Sequence, residues 1–395
     1  MENQRNKIKR VGIIGGGQLA WMMASAAKAL GIELVIQTPS PQDPAVAIAA
    51  ETIFAPVDNA TATAKLAAIC DLITFENEFI NLDALRKLAE QGVCFRPSLD
   101  SLAPLLDKYE QRCFLQDIGL PQPDFISLEG KVGKESLISP ASVRQPLNIN
   151  DLDFPLVLKA RRHGYDGQGT SIIQNETSRQ ETWKKLNYKP VMLEEFIPFE
   201  RELAVIAARS VDGEVLVYPV VETQQQEQVC RRVIVPAGIS REVEAEIKEI
   251  ARNILESLQF IGVLGIELFL TSDNKVLVNE VSPRTHNSGH YSLDACQTSQ
   301  FEQQLRAVTG LPLASPSLKC DGAVMVNLLG YEYSQDDYLE KRLELANRPQ
   351  TFLHWYGKTE SRPGRKLGHA TILLDSSQVP RTVAIATEIE SLWYS

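Results

Sequence analysis

The first hundred residues alternate short apolar runs with stretches of helical spacing. The runs VGII, ELVIQ, TIFA and LITFE have the length of buried strands. Between them, QLAWMMASAAKAL, a short stretch near 45–50, TATAKLAAIC and LDALRKLAEQG show helical periodicity. Strands that alternate with helices are typical of a parallel sheet covered on its faces. We therefore predict a parallel α/β domain over residues 1–106.

The pattern changes after this region. A helix predicted from Asp107 ends at Gly119 and is followed by two prolines, so we place a domain boundary before Asp107. Residues 127–152 are predicted to be rich in loops. The following stretch to residue 235 contains several strands and few helices, which indicates an antiparallel sheet.

Two apolar strands follow a helix predicted over 241–258. GVLGIELFL and KVLVNEV are separated by TSDN, a hairpin signal because Asp and Asn tolerate turn geometry. Residues 311–395 form a smaller, mostly β region with strands near AVMVNLL and HATILL. The predicted organisation is therefore three domains, over 1–106, 107–310 with a small lobe at about 120–190, and 311–395.

Composition narrows the class of protein. The chain has 395 residues, 44% of them apolar, and a net charge of −10, which disfavours a nucleic-acid groove or an anionic membrane surface. The six cysteines lack metal-binding spacing, so we expect reduced thiols in a cytoplasmic protein. We also expect neither a signal peptide nor a membrane span, because no apolar stretch has the required length.

Two glycine-rich segments could hold phosphate. GGGQ behind the first strand fits a dinucleotide turn, but Gln37 and Thr38 stand where an acidic ribose ligand is expected. An oxidoreductase is therefore the weaker alternative. In KARRHGYDGQG, Lys159 ends a strand and is followed by a glycine loop, which suits a triphosphate, although a simple hairpin would also use these glycines.

Acidic residues within apolar strands suggest a metal–nucleotide site. Glu267 and Glu280 lie in the two strands of the predicted hairpin, and buried carboxylates need a partner. Together with Asn279 they would suit Mg²⁺ bound to nucleotide phosphates, while salt bridges to Arg or Lys are the alternative. Glu194 and Glu195 of LEEFI and the later Glu202 could meet adenosine or could be solvated strand ends.

Two polar clusters complete the candidate chemistry. SPRTHNSGH places convergent donors behind the Glu280 strand, which suggests an anion or reactive-group site in place of an ordinary polar loop. YGKTESRPGRKLGH concentrates cations in an acidic protein, as a substrate phosphate monoester or a solvated surface loop would explain.

These motifs together resemble the 5-(carboxyamino)imidazole ribonucleotide synthase family, ATP-grasp ligases of purine biosynthesis. The match runs from about Gly12 to His369, and SPRTHNSGH with TSQFEQQLRAVTG is its most family-specific part. The resemblance implies an N-terminal α/β domain, a central ATP-grasp domain and a small C-terminal domain. It also implies carboxylation of 5-aminoimidazole ribonucleotide with bicarbonate and ATP through carboxyphosphate, and a homodimer.

The resemblance assigns roles by matching motifs. Nucleotide contacts are implied for Lys108, Lys159, Gly164, Tyr165, Asp166, Gly167, Gln168, Gly169, Thr170, Glu194, Glu195, Phe196, Ile197, Glu202, Gln225, Asn279 and Glu280. Mg²⁺, with Mn²⁺ as an alternative ion, is implied at Glu267 and Glu280. Catalytic roles are implied for Tyr165, Asp166, Arg284, His286, Asn287 and Ser288, with Asp166 as the hypothesis for the group that handles the amine proton.

Substrate contacts are implied for Gln18, Leu19, Glu76, Lys358 and Arg365. Ala20, Trp21, Gln168 and Gln225 depart from the usual family residues and put local contacts in question. A formate-using purine transformylase and a catalytically silent nucleotide-binding relative remain as alternatives. Phosphate release stimulated by the aminoimidazole substrate would separate these possibilities.

Overall fold

The computed structural model describes residues 8–131, 134–138, 153–162 and 169–394, with the backbone alone at 131 and 134–138. The strands are β1 Arg10–Ile14, β2 Glu33–Thr38, β3 Glu51–Phe54, β4 Leu72–Phe75, β5 Phe125–Lys131, β6 Lys134–Ile138, β7 Leu156–Ala160, β8 Thr170–Ile173, β9 Val191–Glu195, β10 Phe199–Arg209, β11 Val215–Val217, β12 Val221–Gln226, β13 Val229–Val235, β14 Gly262–Thr271, β15 Val276–Ser282, β16 Gly322–Leu329, β17 Thr351–Trp355 and β18 Lys366–Leu374. The α-helices are α1 Gln18–Trp21, α2 Ala24–Leu30, α3 Ala60–Ala68, α4 Leu82–Glu90, α5 Leu99–Leu102, α6 Lys108–Asp117, α7 Glu176–Lys185, α8 Arg241–Ser257, α9 Ser292–Ala295, α10 Gln300–Thr309, α11 Leu339–Ala346 and α12 Thr382–Tyr394.

The N-terminal region is a four-stranded parallel sheet in the order β3-β2-β1-β4, which confirms the predicted α/β fold. Its strands are apolar because helices cover the sheet. The helix predicted from QLAWMMASAAKAL is divided into α1 and α2, and the stretch near 45–50 is a 3₁₀ turn over Pro44–Ile48. Pro44 begins that turn, at a position where a missing amide hydrogen leaves no bond unmade.

A nine-stranded antiparallel sheet forms the centre of the molecule. Its order is β15-β14-β10-β12-β13-β16-β18-β17, with β11 paired to β10. Because β13 pairs with β16, the C-terminal strands continue the same sheet as the central strands. Helix α8 turns an apolar face with Val243, Ile247, Ile250 and Ile254 towards the core that includes β10 and β14. β15, the strand of Glu280, stands at the open edge.

A separate five-stranded antiparallel sheet, β6-β5-β9-β7-β8, covers residues 125–195. Its core includes Leu128, Leu158 and Trp183, all with no measurable exposure. The prediction of loops from residue 127 onward is wrong for β5 and β6, because FISLEGK and KESLI pair with each other. Their mixture of polar and apolar residues hides the strand pattern in the sequence.

No helix in the part of the chain that the structure describes is long and apolar enough to cross a membrane. All six cysteines are free thiols.

Helix α6 begins at its N-cap Asp107, whose carboxylate accepts bonds from the backbone amides of Tyr109 and Glu110. This cap fixes the helix directly beside β15, where the candidate site lies.

Candidate active site

Two carboxylates face each other at the edge of the nine-stranded sheet. Glu267 of β14 pairs in register with Glu280 of β15, whereas Leu268 pairs with Val278, so Asn279 is the extra residue of a β-bulge. Burial, followed by the charges of Glu280 and Glu202, raises the pKa of Glu267 to about 7. The two acids therefore repel each other unless a cation lies between or beside them.

Cations already stand beside one of these acids. The Nζ atom of Lys108 lies 2.5 Å from Oε1 of Glu280. Burial alone would raise the pKa of Glu280, but Lys108 and Lys159 outweigh it and hold that pKa below its usual range. Glu280 is thus the more readily ionised member of the pair, and Glu267 is the member that burial and the neighbouring carboxylates shift towards its protonated form.

This donor set fits a hard divalent cation. Glu267 and Glu280 offer carboxylate oxygens on opposed strands, and the amide of Asn279 donates to Glu267 at 3.4 Å. Mg²⁺ and Mn²⁺ prefer oxygen ligands and neutralise paired carboxylates. The raised pKa of Glu267 follows from its burial beside two other carboxylates, whose repulsion a bound cation would relieve.

Lys159 connects this pair to the five-stranded sheet. Its Nζ atom lies 2.7 Å from Glu194 and donates to the side-chain oxygen of Asn279 at 3.0 Å. Burial would raise the pKa of Glu194, yet Arg112 and Lys159 together lower it to about 2. Glu194 is therefore a buried anion held by two cations rather than a solvated strand end.

The neighbouring residues predicted for adenosine lie at the end of β9 and on β10. Glu195 is exposed, Phe196 is half-buried and Ile197 is buried. Burial raises the pKa of Glu202 to about 7, while a hydrogen bond with Gln225 opposes this rise. The structure thus brings Glu202 and Gln225 together across adjacent strands, where a polar ligand atom could replace water.

The loop behind β15 connects the carboxylate pair with the N-terminal domain. Nε of Arg284 lies 2.9 Å from Glu78, and Nε2 of His286 lies 3.4 Å from Glu267. The other ring nitrogen of His286 lies 2.9 Å from the hydroxyl of Ser288. Arg284, His286 and Ser288 therefore form a polar path that leads from the carboxylate pair.

Asn287 has a different setting. Its side-chain amide exchanges two hydrogen bonds with the amide of Asn327, at 3.0 and 2.8 Å, and Asn327 is fully buried. This reciprocal pair fixes the loop to β16. It also leaves less of the Asn287 amide available for a ligand than the sequence suggests.

The glycine turn of the N-terminal domain surrounds a carboxylate. A Cβ atom at Gly15 would lie 2.5 Å from Glu76, and one at Gly17 would collide with the same side chain. Burial raises the pKa of Glu76 to about 7, against opposing effects from Arg284 and the backbone amides of Leu19 and Gly17. The glycines thus make room for Glu76, so their spacing gives no support to dinucleotide binding.

Glu76 also lines a cavity of about 310 Å³. The lining includes Gln18, Lys358 and Arg365, three of the residues predicted to contact substrate. The ammonium group of Lys358 donates to the carbonyl oxygen of Lys366 at 2.7 Å, and Arg365 donates to the carbonyl oxygen of Glu360 at 2.8 Å. Each cation thus has a hydrogen bond to a backbone carbonyl oxygen at the wall of this cavity, and Arg365 also lies 4.0 Å from the carboxylate of Glu360.

Three histidines form a second buried group, the histidine cluster, with His290, His354 and His369. The rings of His354 and His369 stack at 4.6 Å, and those of His290 and His369 lie 5.2 Å apart. His354 bonds to Asp294 at 2.8 Å, and His369 bonds to the hydroxyl of Tyr356 at 2.8 Å. Burial lowers the pKa values of His290 and His369 well below the usual range, so both are neutral.

An oxygen of Asp294 and nitrogens of His354 and His369 lie within 4.8 Å of one another. The two imidazole planes are inclined by only 16°, so stacked rings direct their nitrogen lone pairs side by side rather than towards one ion. We interpret this cluster as a hydrogen-bonded support for β17 and β18, the strands that lead to Lys358 and Lys366.

Some predicted residues fall outside the described part of the chain. These are Gly164, Tyr165, Asp166, Gly167 and Gln168 of the glycine loop. Gly169 and Thr170 stand at the start of β8, where Thr170 pairs with Lys159. The described end of the loop therefore lies next to the strand residue that contacts Glu194.

Four contributors to the site are missing from the sequence prediction: Gln111, Arg112, Glu78 and Asn327. Arg112 is only 2% exposed and contacts Glu194 and β15. A signal for it exists, because Tyr109, Arg112 and Leu115 recur at helical spacing on the buried face of α6. A cation on such a face needs a buried partner. Its partners lie 82 to 167 residues away along the chain, so the sequence does not identify them.

Comparison with known proteins decides the family. The chain matches the ribonucleotide synthetase preATP-grasp domain over residues 8–104, the ATP-grasp domain over 114–301, and the phosphoribosylaminoimidazole carboxylase C-terminal domain over 323–380. It is 51% identical over 390 residues to N5-carboxyaminoimidazole ribonucleotide synthase of Synechococcus elongatus, covering 98% of this chain and 96% of the relative. The chain belongs to the N5-carboxyaminoimidazole ribonucleotide synthase family.

Other members of this synthase family agree over the whole chain. The Synechocystis sp. synthase is 50% identical over 400 residues, covering 98% of this chain and 99% of the relative. The Thermotoga maritima synthetase structure has a TM-score of 0.83 at 37% identity and covers 98% of each chain. An Aspergillus clavatus synthase solved with ADP and 5-aminoimidazole ribonucleotide has a TM-score of 0.85 at 29% identity, covering 97% of this chain and 98% of that chain.

Proposed function

We propose that this chain uses ATP and bicarbonate to carboxylate 5-aminoimidazole ribonucleotide, giving N5-carboxyaminoimidazole ribonucleotide, ADP and phosphate in purine biosynthesis. The observation that carries this proposal is the position of Arg284 between the carboxylate pair and the cavity lined by Glu76. Burial alone would lower the pKa of Arg284, but Glu78, Glu76 and Glu280 together raise it. One guanidinium is therefore within electrostatic reach of both Glu280 and Glu76, which is why we propose that the two regions act together.

Nucleotide binding is assigned to the cations beside the carboxylate pair. Lys108 and Lys159 lie against Glu280 and Glu194, and these ammonium groups can turn to phosphate oxygens when ATP enters. We propose that Glu202 contacts adenosine hydroxyl or amino groups. Glu267 and Glu280 would hold Mg²⁺ or Mn²⁺, which supplies charge neutralisation for the phosphates when bound.

Bicarbonate needs activation because it is a poor electrophile. In the first step a bicarbonate oxygen forms a bond to the γ-phosphorus of ATP, the bond to the β-phosphate oxygen breaks, and ADP leaves. The product is carboxyphosphate. We propose that Arg284, which is paired with Glu78, and His286, which lies beside Glu267, stabilise its negative charge through donors fixed before the reaction.

In the second step the substrate amine forms a carbon–nitrogen bond to the carboxyl carbon. The carbon–oxygen bond to phosphate breaks, and the amine nitrogen loses a proton. We retain Asp166 and Tyr165 as the proposed residues near this amine. Among the described residues, we propose that Glu76, whose carboxyl has a raised pKa of about 7, lies near the aminoimidazole. Holding the amine beside the carboxyl donor supplies much of the rate gain.

Lys358 and Arg365 are the proposed ligands of the substrate phosphate. Both line the cavity that contains Glu76, so a ribonucleotide bound there can span from phosphate to the reacting amine. Gln18 and Leu19 occupy the first turn of α1 beside the same cavity. An ion pair with a phosphate monoester suits Lys and Arg, since charge-assisted bonds are stronger than neutral ones.

The same proposal includes three domains with the predicted boundaries, 1–106, 107–310 and 311–395. The last boundary lies between β15 and β16, so these two domains would share the nine-stranded sheet. A cytoplasmic homodimer is also proposed. Light scattering of the purified protein tests the dimer, since a mass of about one chain, 43.9 kDa, would contradict it.

The reaction is tested by isotope transfer. Purified protein is incubated with MgATP, 5-aminoimidazole ribonucleotide and ¹³C-bicarbonate, and the product is followed by the ¹³C signal of a carbamate. We expect label in the carbamate only when ATP and the aminoimidazole are both present. Label-free product together with ¹³C-formate transfer to glycinamide ribonucleotide would identify a transformylase instead.

A further inference from the structure

Arg112 occupies an unusual position for a cation. Its side chain is 2% exposed, and it lies on the face of α6 that packs against the nine-stranded sheet. Nε donates to Glu194 at 2.6 Å, while the two terminal nitrogens donate to the carbonyl oxygens of Val278 and Asn279 at 2.7 and 2.8 Å. One guanidinium thus satisfies three acceptors on two sheets.

The two carbonyl groups belong to the β-bulge that displaces Asn279. Because β15 is an edge strand, its outer side pairs with no other strand of the described residues, and α6 with the following Pro121 takes that place. Gln111 forms two bonds of 2.8 Å with the backbone of Val281, one to the amide and one to the carbonyl. Residues 111 and 112 therefore hold β15 on both sides of Glu280.

The bulge decides where the carboxylate points. Side chains alternate between the faces of a strand, so a slip of one residue would move Glu280 to the opposite face from its present one. A bulge is a local departure from regular strand pairing. Carbonyl groups that lose their strand partner there need other donors when they are buried. Arg112 supplies those donors and leaves the register of Glu280 opposite Glu267 intact.

Arg112 also connects this bulge to the five-stranded sheet. It shares Glu194 with Lys159, and Lys159 in turn donates to Asn279. We propose that Arg112 is a positioning residue that holds the Asn279 bulge and the end of β9 in place, and thereby sets the affinity for the divalent cation and nucleotide. This inference rests on the proposed function, in which Glu267 and Glu280 hold that cation.

The test measures metal binding without turnover. Binding of Mn²⁺ in the presence of ADP is followed by the electron paramagnetic resonance signal of free Mn²⁺. For Arg112→Met we expect binding weaker by about 10–100-fold, the range found when a group that supports metal ligands is removed. For Arg112→Lys, which keeps the charge beside Glu194 but loses the planar fork, we expect an intermediate loss.

Arg209→Met is the matched control. Arg209 is also buried, at 9% exposure, and bonds to Gln259 at 2.7 Å at the far end of β10. It stands five positions along the strand from Ala204, the partner of Glu267, or about 17 Å away in an extended strand. We expect Arg209→Met to lower the thermal midpoint by less than Arg112→Met, because it loses one bond to a neutral amide and no buried ion pair. Mn²⁺ affinity should stay within about twofold of the wild type, since the site lies far away.

A double variant tests the route of the effect. If Arg112 acts through the bulge, Asn279→Ala and Arg112→Met together should weaken Mn²⁺ binding by less than the product of their separate effects. The Michaelis constant for the aminoimidazole should stay within twofold in Arg112→Lys. Unchanged Mn²⁺ affinity in both Arg112 variants would overturn the inference, as would equal losses in the Arg209 control.

Glu280→Gln separates this inference from the proposed function. If Glu280→Gln weakens Mn²⁺ binding and the Arg112 variants do not, only the role of Arg112 is wrong. If Glu280→Gln itself binds Mn²⁺ with ADP as the wild type does, the proposed metal site is wrong and the inference is overturned with it.

Discussion

Two buried groups of titratable residues lie close to the same twelve residues, 279–290, and they solve the problem of burial in opposite ways. In the carboxylate cluster around Glu267 and Glu280, charges remain and are compensated by lysines. In the histidine cluster, His290 and His369 lose their charge, and His369 bonds to the neutral hydroxyl of Tyr356. Charged side chains suit a site whose lysines give way to a bound cation, as we propose for the carboxylate cluster. Neutral side chains suit a core that only supports the fold.

The two clusters also differ in how their remaining polar atoms are compensated. The Nε2 atoms of His290 and His369 are buried and have no hydrogen-bond partner among the described residues. Glu267, by contrast, faces a second carboxylate, and in the proposed function the two share a bound cation. An uncharged nitrogen without a partner costs far less than an uncompensated carboxylate, so only the carboxylate cluster gains strongly from a bound ligand.

The largest expected effect is that of Glu267→Gln. Turnover should fall by more than about 100-fold, beyond the usual loss for a residue that merely supports a metal ligand. At pH 8, above the raised pKa of about 7, the wild-type carboxylate is charged at an energetic cost that the amide lacks. The thermal midpoint should therefore rise by about 1 °C for each kcal/mol of relief, the shift expected for a chain of 395 residues.

Activity and thermal unfolding of the purified variant check this prediction, with Arg209→Met as a control for a buried change elsewhere. A variant that is both inactive and less stable would mean that Glu267 is a structural ion-pair residue. The contrast with the histidine cluster would then disappear.

Glu194→Gln should affect stability more than any other single change in the carboxylate cluster. It leaves the buried cations Arg112 and Lys159 without their carboxylate, which costs about 3–5 kcal/mol for a broken buried pair. The folded pKa of about 2 lies below the ordinary value of 4.5, so the stabilisation is present above pH 4.5 and is lost as the pH falls towards 2. Urea unfolding of both proteins from pH 7 to pH 3 should show the difference shrinking with acidity.

The elements that form the two clusters also differ in how well the sequence predicts them. Alternating strands and helices predict the parallel N-terminal sheet, and the apolar runs on either side of TSDN predict the hairpin that pairs Glu267 with Glu280. Both signals are local. By contrast, the bond from Arg112 to Asn279 spans 167 residues, and the amide pair of Asn287 with Asn327 spans 40. Such contacts depend on how separate elements dock, which no short pattern encodes.

The glycine turn shows a different limit. GGGQ has the spacing of a phosphate-binding turn, but Gly15 and Gly17 are required by the close approach of Glu76, sixty residues later. The sequence correctly predicts that side chains are absent there because something approaches the backbone. It does not reveal that the approaching group is a carboxylate of the same chain.

His369→Asn should change how steeply the free energy of unfolding depends on pH in the acidic range. The native histidine stays neutral because its folded pKa lies well below 6.5, whereas the unfolded one takes up a proton below that pH. Wild-type stability therefore falls as the pH drops below 6.5, and the variant should lack up to about 1.4 kcal/mol per pH unit of that fall.

Denaturant unfolding of both proteins at pH 7.5, 6.5 and 5.5 measures this difference, and comparison of the two cancels the titration of the carboxylates. Parallel curves for the two proteins would show that His369 is charged in the folded state. The histidine cluster would then resemble the carboxylate cluster.

Gln225→His should have the smallest effect. Gln225 is exposed and contacts Glu202 by a single side-chain bond, which a histidine at the same position can replace. The Michaelis constant for ATP should change by no more than about twofold, as for most substitutions at exposed positions. A tenfold change would assign Gln225 a direct role in nucleotide recognition.

The central claim is that the carboxylate cluster and the cavity beyond Arg284 act as one reaction surface. The most direct test is phosphate release from MgATP and bicarbonate by the wild type and by Glu280→Gln, with and without 5-aminoimidazole ribonucleotide. We predict strong stimulation by the aminoimidazole in the wild type and none in the variant. Stimulation that survives Glu280→Gln, or a wild type that does not respond to the aminoimidazole, would contradict the account.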